Sequence, residues 1–326
     1  MDLSFDLKTE GNAAVVGVID IGSNSIKSLV AKRDADGFPA EIHNKTEETR
    51  LSGGISGNPP YICEDTILAG VDSIKHLLKD MKPYKPESIQ LVATSAVRDA
   101  ANRDQFAEAI FKKTGHALRV LSGEEEALGI AAGLQSDPAF RSETDLSVFD
   151  IGGGSLEHID FQSGQIDHAV STELGAVRMT QRFIANPKKP VVEAEIAAIR
   201  EHTFKVLREA DVSPKITGKA VGTGGGFTIS RRILAKRIGK KTSQVSPIIG
   251  VAQLREIFDK LAPLSWSDRK AIKGLPKARA DIYPAAAATL LALAEYLQVE
   301  EFYHSFYNLR FGVARLMMAG EPSETR

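Results

Sequence analysis

The sequence predicts an α/β protein built from two domains, and three observations carry that expectation. First, V-I-D-I-G-S-N-S-I-K-S-L-V-A (18–31) has a counterpart in V-F-D-I-G-G-G-S-L-E-H-I-D (148–160). Each is a short apolar run, a glycine-bearing turn and a second run, which is a strand hairpin. Second, strand-like and helix-like segments alternate after both copies, and that mixture is α/β patterning. Third, 326 residues are long for one core and comfortable for two. The spacing of the copies is about a domain, not the short period of a solenoid.

In order, Val15–Asp20 reads as a buried strand and Ser25–Lys32 as its hairpin partner. Apolar residues at Ile67, Leu68, Val71, Ile74, Leu77, Leu78 and Met81 lie on one face of a helix. Ile89–Ala93 is a strand. Asn102 is placed to cap a helix through Lys113, and Leu118–Leu121 is a strand. The order then restarts with strands at Leu146–Asp150, Ser155–Phe161 and Ile166–Ser171 and a helix from about Glu193 to Glu209. Lys219–Val221 is a strand whose glycine-rich end, Gly222–Gly226, enters a helix. Further helices follow around Val251–Leu261, over Asp281–Leu297 and over Arg310–Met318. The polar, proline-bearing stretch Ser136–Thr144 marks the break. The expected domains are residues 1–135 and 136–326, with the last helix, about 310–320, able to return to the first.

Composition excludes several classes. Hydrophobic residues make up 43% and charged residues 25%, ordinary for a globular protein. The net charge of -1 gives no global field for nucleic acid or an anionic membrane, so neither is an expected partner. Cys63 is the only cysteine, which rules out an internal disulfide and suits a reducing, cytoplasmic setting. The N-terminus has no basic-then-apolar signal pattern. The longest apolar run, Tyr283–Ala294, is too short to span a bilayer. The histidines are scattered without zinc-ligand spacing.

The two D-I-G turns are the first candidates for chemistry. A carboxylate at a strand end, followed by glycine and small hydroxyl residues, leaves backbone amides free in a tight turn. Such turns hold phosphate oxygens, and the carboxylate can hold a divalent cation on the phosphate. One copy alone reads equally as a hairpin whose Asp bonds its own turn; the repetition favours phosphate. The candidates are Asp20, Gly22, Ser23, Asn24 and Ser25 in the first copy, and Gly152, Gly153, Gly154 and Ser155 in the second. Gly224 and Gly225, in the second glycine triplet, allow close backbone approach to a ligand. Asp150 and Glu157 are placed to approach one Mg²⁺, with a surface carboxylate the alternative reading of Glu157.

L-S-G-E-E-E-A-L-G-I begins at Leu121. Three acids at a helix start match the helix dipole. The Ser122-x-x-Glu125 spacing is that of a capping box, which turns Glu125 back onto the Ser122 amide. Glu126 is rotated by about 100° onto the face of Gly129, Ile130 and Gly133. That inward face makes Glu126 the better general-base candidate, against the alternative of another first-turn acid. In A-T-S-A-V-R, Thr94 and Ser95 follow a strand and Arg98 lies one helical turn on, suiting a phosphate. Arg231–Lys241, R-R-I-L-A-K-R-I-G-K-K, is either a solvated helix face or the path of a long polyanion.

Together these residues resemble the exopolyphosphatase/guanosine pentaphosphate phosphohydrolase family, of the actin-like, sugar-kinase and Hsp70-like fold group. The matching blocks are D-I-G-S-N-S (20–25), A-T-S-A-V-R (93–98), S-G-E-E-E-A (122–127), D-I-G-G-G-S-L-E (150–157), E-L-G-A-V-R (173–178), G-T-G-G-G (222–226) and R-A-D-I-Y-P-A (279–285). They run in the family's order over nearly the whole chain. The resemblance implies two ribonuclease H-like domains with an interdomain cleft, and homodimerisation. It implies Mg²⁺-dependent (or Mn²⁺-dependent) release of terminal phosphate from inorganic polyphosphate or guanosine pentaphosphate. The family's catalytic glutamate falls on Glu126. Its phosphate and metal contacts fall on Asp20, Gly22, Ser23, Asn24, Arg98, Asp150, Gly152 and Glu157. Where the family often reads G-L-R-E-G, this chain has Asn308-Leu-Arg-Phe-Gly312, with Phe311 in place of a carboxylate. Longer members carry a further helical region that this chain, stopping at Arg326, lacks, which counts against processive action on long chains; the expected substrate is inorganic polyphosphate, short chains included. The competing readings are a kinase or ATPase of the same fold group and a non-catalytic sensor of polyphosphate or an alarmone.

Overall fold

The computed structural model describes residues 13–57 and 59–319. The chain forms two compact units, one running to Ser142 and resuming at Tyr307, the other spanning Glu143–Phe306.

In the first unit the strands are β1 (Val15–Ile21), β2 (Ile26–Arg33), β3 (Pro39–Glu47), the two-residue pair β4 (Ile55–Ser56) and β5 (Tyr61–Ile62), β6 (Ser88–Ala93) and β7 (Leu118–Val120). The five-stranded sheet has the order β3-β2-β1-β6-β7. Its first three strands are antiparallel neighbours, while β6 runs parallel to β1 and β7 parallel to β6. That is the strand order of a ribonuclease H-like sheet. Helix α1 (Glu64–Met81) buries Ile67, Val71, Ile74, Leu77, Leu78 and Met81, as the spacing predicts. Leu68, at the edge of that stripe, remains 54% exposed. The short α2 (Ser95–Arg98), α3 (Arg103–Thr114) and α4 (Gly123–Leu134) complete this part of the unit.

The strand β3, P-A-E-I-H-N-K-T-E, is not anticipated from periodicity, because an edge strand half open to solvent carries little apolar signal. Asn102 precedes α3 but does not cap it with its side chain. Its amide instead accepts from the Ile62 N–H and donates to the Ile62 carbonyl, both at 2.9 Å, tying the loop to β5.

The second unit contains β8 (Leu146–Ile151), β9 (Leu156–Gln162), β10 (Gln165–Thr172), β11 (Lys219–Thr223), β12 (Ile248–Gly250) and β13 (Glu301–His304). Its helices are α5 (Ala176–Phe183), α6 (Glu193–Glu209), α7 (Gly224–Arg237), α8 (Val251–Leu261), the short α9 (Trp266–Arg269) and α10 (Tyr283–Leu297). The sheet order β10-β9-β8-β11-β13-β12 repeats the first unit's plan, with β12 added antiparallel at the edge. α10 is apolar all round and buried at every residue but Glu295, so the longest apolar run of the sequence is the central helix of a core. Among the described residues no helix is long and apolar enough to cross a membrane.

The last helix, α11 (Leu309–Ala319), belongs to the first unit and packs on α4. The two backbones meet closely: a Cβ on Gly312 would lie 1.7 Å from the Gly129 carbonyl oxygen, and one on Gly133 would lie 2.2 Å from that of Asn308. Phe311 is buried and its ring centroid is 4.2 Å from that of Tyr307. Phe311 is therefore part of the apolar packing of this helix.

Candidate active site

Each Asp-Gly hairpin closes the same way. The Gly22 amide donates to the Ser25 carbonyl at 3.1 Å, and the Gly152 amide to the Ser155 carbonyl at 3.0 Å. Asp20 pairs across the strands with Lys27, and Asp150 pairs with Glu157. The repeat thus puts Lys27 and Glu157 at equivalent places, directly opposite the two aspartates.

Both turns have their carbonyls held by a following segment. In the first unit, the Asn24 and Ser23 carbonyls accept from the Arg50 and Ser52 amides at 2.9 and 2.8 Å. Asn24 also donates to Glu48 at 2.7 Å, and the Ser23 and Ser95 hydroxyls lie 3.0 Å apart. In the second unit, the Gly152 and Gly153 carbonyls accept from the Ala176 and Val177 amides at 3.0 and 2.7 Å, at the start of α5. Arg178 Nε donates to the Gly154 carbonyl at 3.0 Å. With the carbonyls engaged, backbone amides are the groups such turns have left to offer an anion. α5 approaches so closely because of Gly175, where a Cβ would lie 2.3 Å from the Gly154 backbone.

Asp150 and Glu157 are buried, at 8% and 1% exposure. Side chains directly opposite on antiparallel strands start about 5 Å apart at Cβ, within span of one cation. Ser171 Oγ donates to Glu157 at 2.8 Å, fixing that carboxylate. Gly224 begins α7 with φ 82°, and a Cβ there would lie 2.2 Å from Asp150 Oδ1. Only glycine fits that space and that backbone. Among the described residues no group of three or more acidic, His or Cys side chains gathers to hold a metal. Two carboxylates suit Mg²⁺, which takes one or two from protein and fills its shell with water and phosphate oxygens. The neighbouring Gly225 lies beside Arg279, whose Nη1 would be 3.7 Å from a Cβ added there.

In the first unit, the capping box at α4 forms as its spacing predicts. Glu125 accepts from the Ser122 amide at 2.7 Å, and the Glu125 amide donates to Ser122 Oγ at 3.1 Å. Burial alone raises the Glu125 carboxyl pKa. The Ser122 amide and Arg119, 2.7 Å away, outweigh it and hold the carboxyl below its ordinary range. Glu126, one position on, is turned inward and is 6% exposed. Arg98 Nη1 donates to Glu126 Oε2 at 2.8 Å and to the Leu121 carbonyl at 3.2 Å. The two blocks that contribute this pair are 28 residues apart and meet because β6 and β7 are parallel neighbours, each leading into a helix.

The structure therefore brings together Ser23, Asn24 and Ser25 in one turn and Arg98 with Glu126. In the second unit it gathers Asp150, Glu157 and Gly224 around the turn 152–155. Sequence reasoning passes over Glu48, Arg178 and Arg279 as contacts of these loops, and it offers Ser95 to a phosphate without anticipating its contact with Ser23. Arg178 and Arg279 stand in blocks that carry the resemblance, which is the signal that points to them; Glu48 has none.

The chain is thus an α/β protein of two units, each with a ribonuclease H-like sheet that opens on a hairpin with an Asp-Ile-Gly turn. The chain belongs to the Ppx/GppA phosphatase family, whose pattern matches residues 29–320. It is 27% identical to Exopolyphosphatase 1 of Mycobacterium leprae, over 95% of this chain and 91% of that protein. It is 25% identical to a guanosine-5'-triphosphate,3'-diphosphate pyrophosphatase of Vibrio vulnificus, covering 95% of this chain but 60% of that one. A bifunctional 3-dehydroquinate synthase/phosphatase of Fusobacterium nucleatum is 27% identical over 85% of this chain, which spans 43% of its length. Among solved structures, an exopolyphosphatase from Cytophaga hutchinsonii superposes with a TM-score of 0.82 at 23% identity, covering 93% of this chain and 97% of that one. The Aquifex aeolicus Ppx/GppA protein gives 0.77 at 24%, with the same coverage. These two likenesses establish the fold.

Proposed function

We propose that the protein is an exopolyphosphatase that hydrolyses the terminal phosphoanhydride bond of inorganic polyphosphate with a glutamate-activated water. The observation that carries this is the buried Glu126, held by Arg98 at the start of α4 and separated from its neighbour Glu125 by the capping box. Glu125 is committed to structure; Glu126 is the carboxylate available for chemistry. It orients the attacking water and takes its proton. The turns 22–25 and 152–155 bind phosphate oxygens through backbone amides. Asp150 and Glu157 hold Mg²⁺, which when bound offsets charge developing on the phosphoryl oxygens. Arg98 adds a fixed cation beside Glu126.

Guanosine pentaphosphate is the second reading, supported by the similarity to the Vibrio vulnificus pyrophosphatase. Phosphate release from polyphosphates of graded length, run beside guanosine pentaphosphate under Mg²⁺, separates the two. Faster release from polyphosphate is the expected result. A strong preference for the nucleotide assigns the second activity instead. Binding of either without phosphate release makes the protein a sensor.

A further inference from the structure

The three glycines of the turn 152–155 are held by one segment, but not in the same way. The Gly152 and Gly153 carbonyls accept from the Ala176 and Val177 amides at 3.0 and 2.7 Å. These holds run backbone to backbone and do not depend on which side chains residues 176 and 177 carry. The third hold is made by a side chain: the Gly154 carbonyl accepts from Arg178 Nε at 3.0 Å. Arg178 Nη1 donates to Glu173 at 3.1 Å, which fixes the guanidinium at its other edge. In the first unit the Ser23 and Asn24 carbonyls accept from the Ser52 and Arg50 amides, both backbone groups. The side-chain hold on Gly154 therefore sets the second turn apart.

Peptide planarity turns these holds into an aim. In a trans peptide the C=O and the N–H that follows it point in opposite directions. Carbonyls 152, 153 and 154 are drawn towards residues 176–178, so the N–H groups of Gly153, Gly154 and Ser155 are sent the other way. Among the described residues none of these three amides donates to a backbone carbonyl. Successive N–H groups turned to one side make an anion-binding concavity. The Gly154–Ser155 peptide is the one whose direction depends on a side chain. Gly175 packs against it, and a Cβ there would lie 2.3 Å from the Ser155 nitrogen, so α5 starts close enough for Arg178 to reach the carbonyl. The ion pair with Glu173, whose side chain is 67% exposed, adds little stability of its own.

We propose that Arg178 is a positioning residue: by holding the Gly154 carbonyl it aims the Ser155 N–H at a phosphate oxygen of the bound substrate. The inference rests on the reading of 152–155 as a phosphate turn, and Arg178 acts through that turn. It does not depend on which phosphoanhydride the protein hydrolyses.

The test is a titration of isotope-labelled protein with imidodiphosphate, whose P–N–P link resists hydrolysis, in the presence of Mg²⁺. The amide resonances of Gly153, Gly154 and Ser155 are followed in the wild type, Arg178→Ala and Arg178→Lys. In the wild type all three are expected to shift. In Arg178→Ala the Ser155 shift is lost while those of Gly153 and Gly154 remain, and affinity falls by roughly tenfold or more, the worth of one hydrogen bond to a charged group. Lys keeps a donor for the carbonyl but not the planar fork, so Arg178→Lys gives a Ser155 shift weaker than the wild type's. A wild-type Ser155 response in Arg178→Ala, or in Arg178→Lys should the alanine protein not fold, overturns the inference and leaves the phosphate turn standing. Loss of all three responses together makes Arg178 a structural residue and also overturns it. If imidodiphosphate shifts none of the three amides in the wild type, the reading of 152–155 as a phosphate turn falls, and the inference with it.

Discussion

Arg98, at the end of α2, donates to Glu126 at 2.8 Å across 28 residues of sequence. The same guanidinium also bonds the Leu121 carbonyl, just before the α4 cap. Arg98 is therefore a clamp on the start of α4 as well as a charge beside the proposed base.

Replacing Arg98 with Ala is expected to lower kcat by roughly 10²–10³, the usual loss when a fixed donor facing developing charge is removed. Lys in its place keeps the charge but not the two-point hold, and is expected to recover only part of the rate. Steady-state phosphate release checks both; an Arg98→Ala protein with wild-type kcat removes Arg98 from the reaction.

Asp150→Asn and Glu157→Gln are expected to raise the Mg²⁺ concentration giving half-maximal rate by at least roughly tenfold. Neither residue caps a helix, and each substitution keeps nearly the same shape, so the unfolding midpoint should move little by comparison. A metal titration of activity is the measurement. An unchanged half-saturation point for both variants excludes the pair as the metal's protein ligands.

Gly224→Ala places a Cβ against Asp150 Oδ1 at a φ of 82°. The backbone strain alone costs about 1–3 kcal/mol, and the collision displaces the aspartate. The expected outcome is a lower Tm together with a larger Mg²⁺ requirement, read by thermal unfolding and the same titration. Loss of stability with an unaltered metal requirement would separate Gly224 from Asp150's position.

His304 supplies a pH dependence. Burial, with the Arg231 charge adding to it, lowers the imidazole pKa from 6.5 to about 3. Nδ1 accepts from Arg231, so the neutral ring carries its proton on Nε2, 3.1 Å from Thr228 Oγ1. Below pH 6.5 the unfolded chain takes up a proton that the folded chain refuses. Stability is complete above that pH and falls as pH drops toward 3, by at most about 1.4 kcal/mol per unit from this group. Thermal unfolding from pH 7.5 to 5 should show that slope, and His304→Asn should reduce it. An equal slope in the variant assigns the dependence elsewhere.

Much of this arrangement is readable from residue order. The capping-box spacing of Ser122 and Glu125 orients Glu126 without any tertiary information, and α4 confirms the inward face. The hairpin likewise places Asp150 opposite Glu157, because a tight turn sets the register of the strands it joins. What the chain order does not display are contacts made at a distance by polar groups. The Ser23–Ser95 hydroxyl pair and the Asn24–Glu48 bond span 72 and 24 residues, and neither leaves a periodic trace. Arg231 looks from sequence like its basic neighbours; only the fold shows that it is buried on His304. The short strands β12, at the sheet edge, and β13, beside it, are legible only through their pairing.

The most direct test of the account is the rate of phosphate release from inorganic polyphosphate by the wild type and by Glu126→Gln. Gln keeps the size of the side chain and an oxygen for Arg98 to bond, but takes no proton from water. The account expects Mg²⁺-dependent release by the wild type, a kcat lower by roughly 10²–10⁴ in the variant, and polyphosphate binding largely retained. Turnover by Glu126→Gln near the wild-type rate would contradict it.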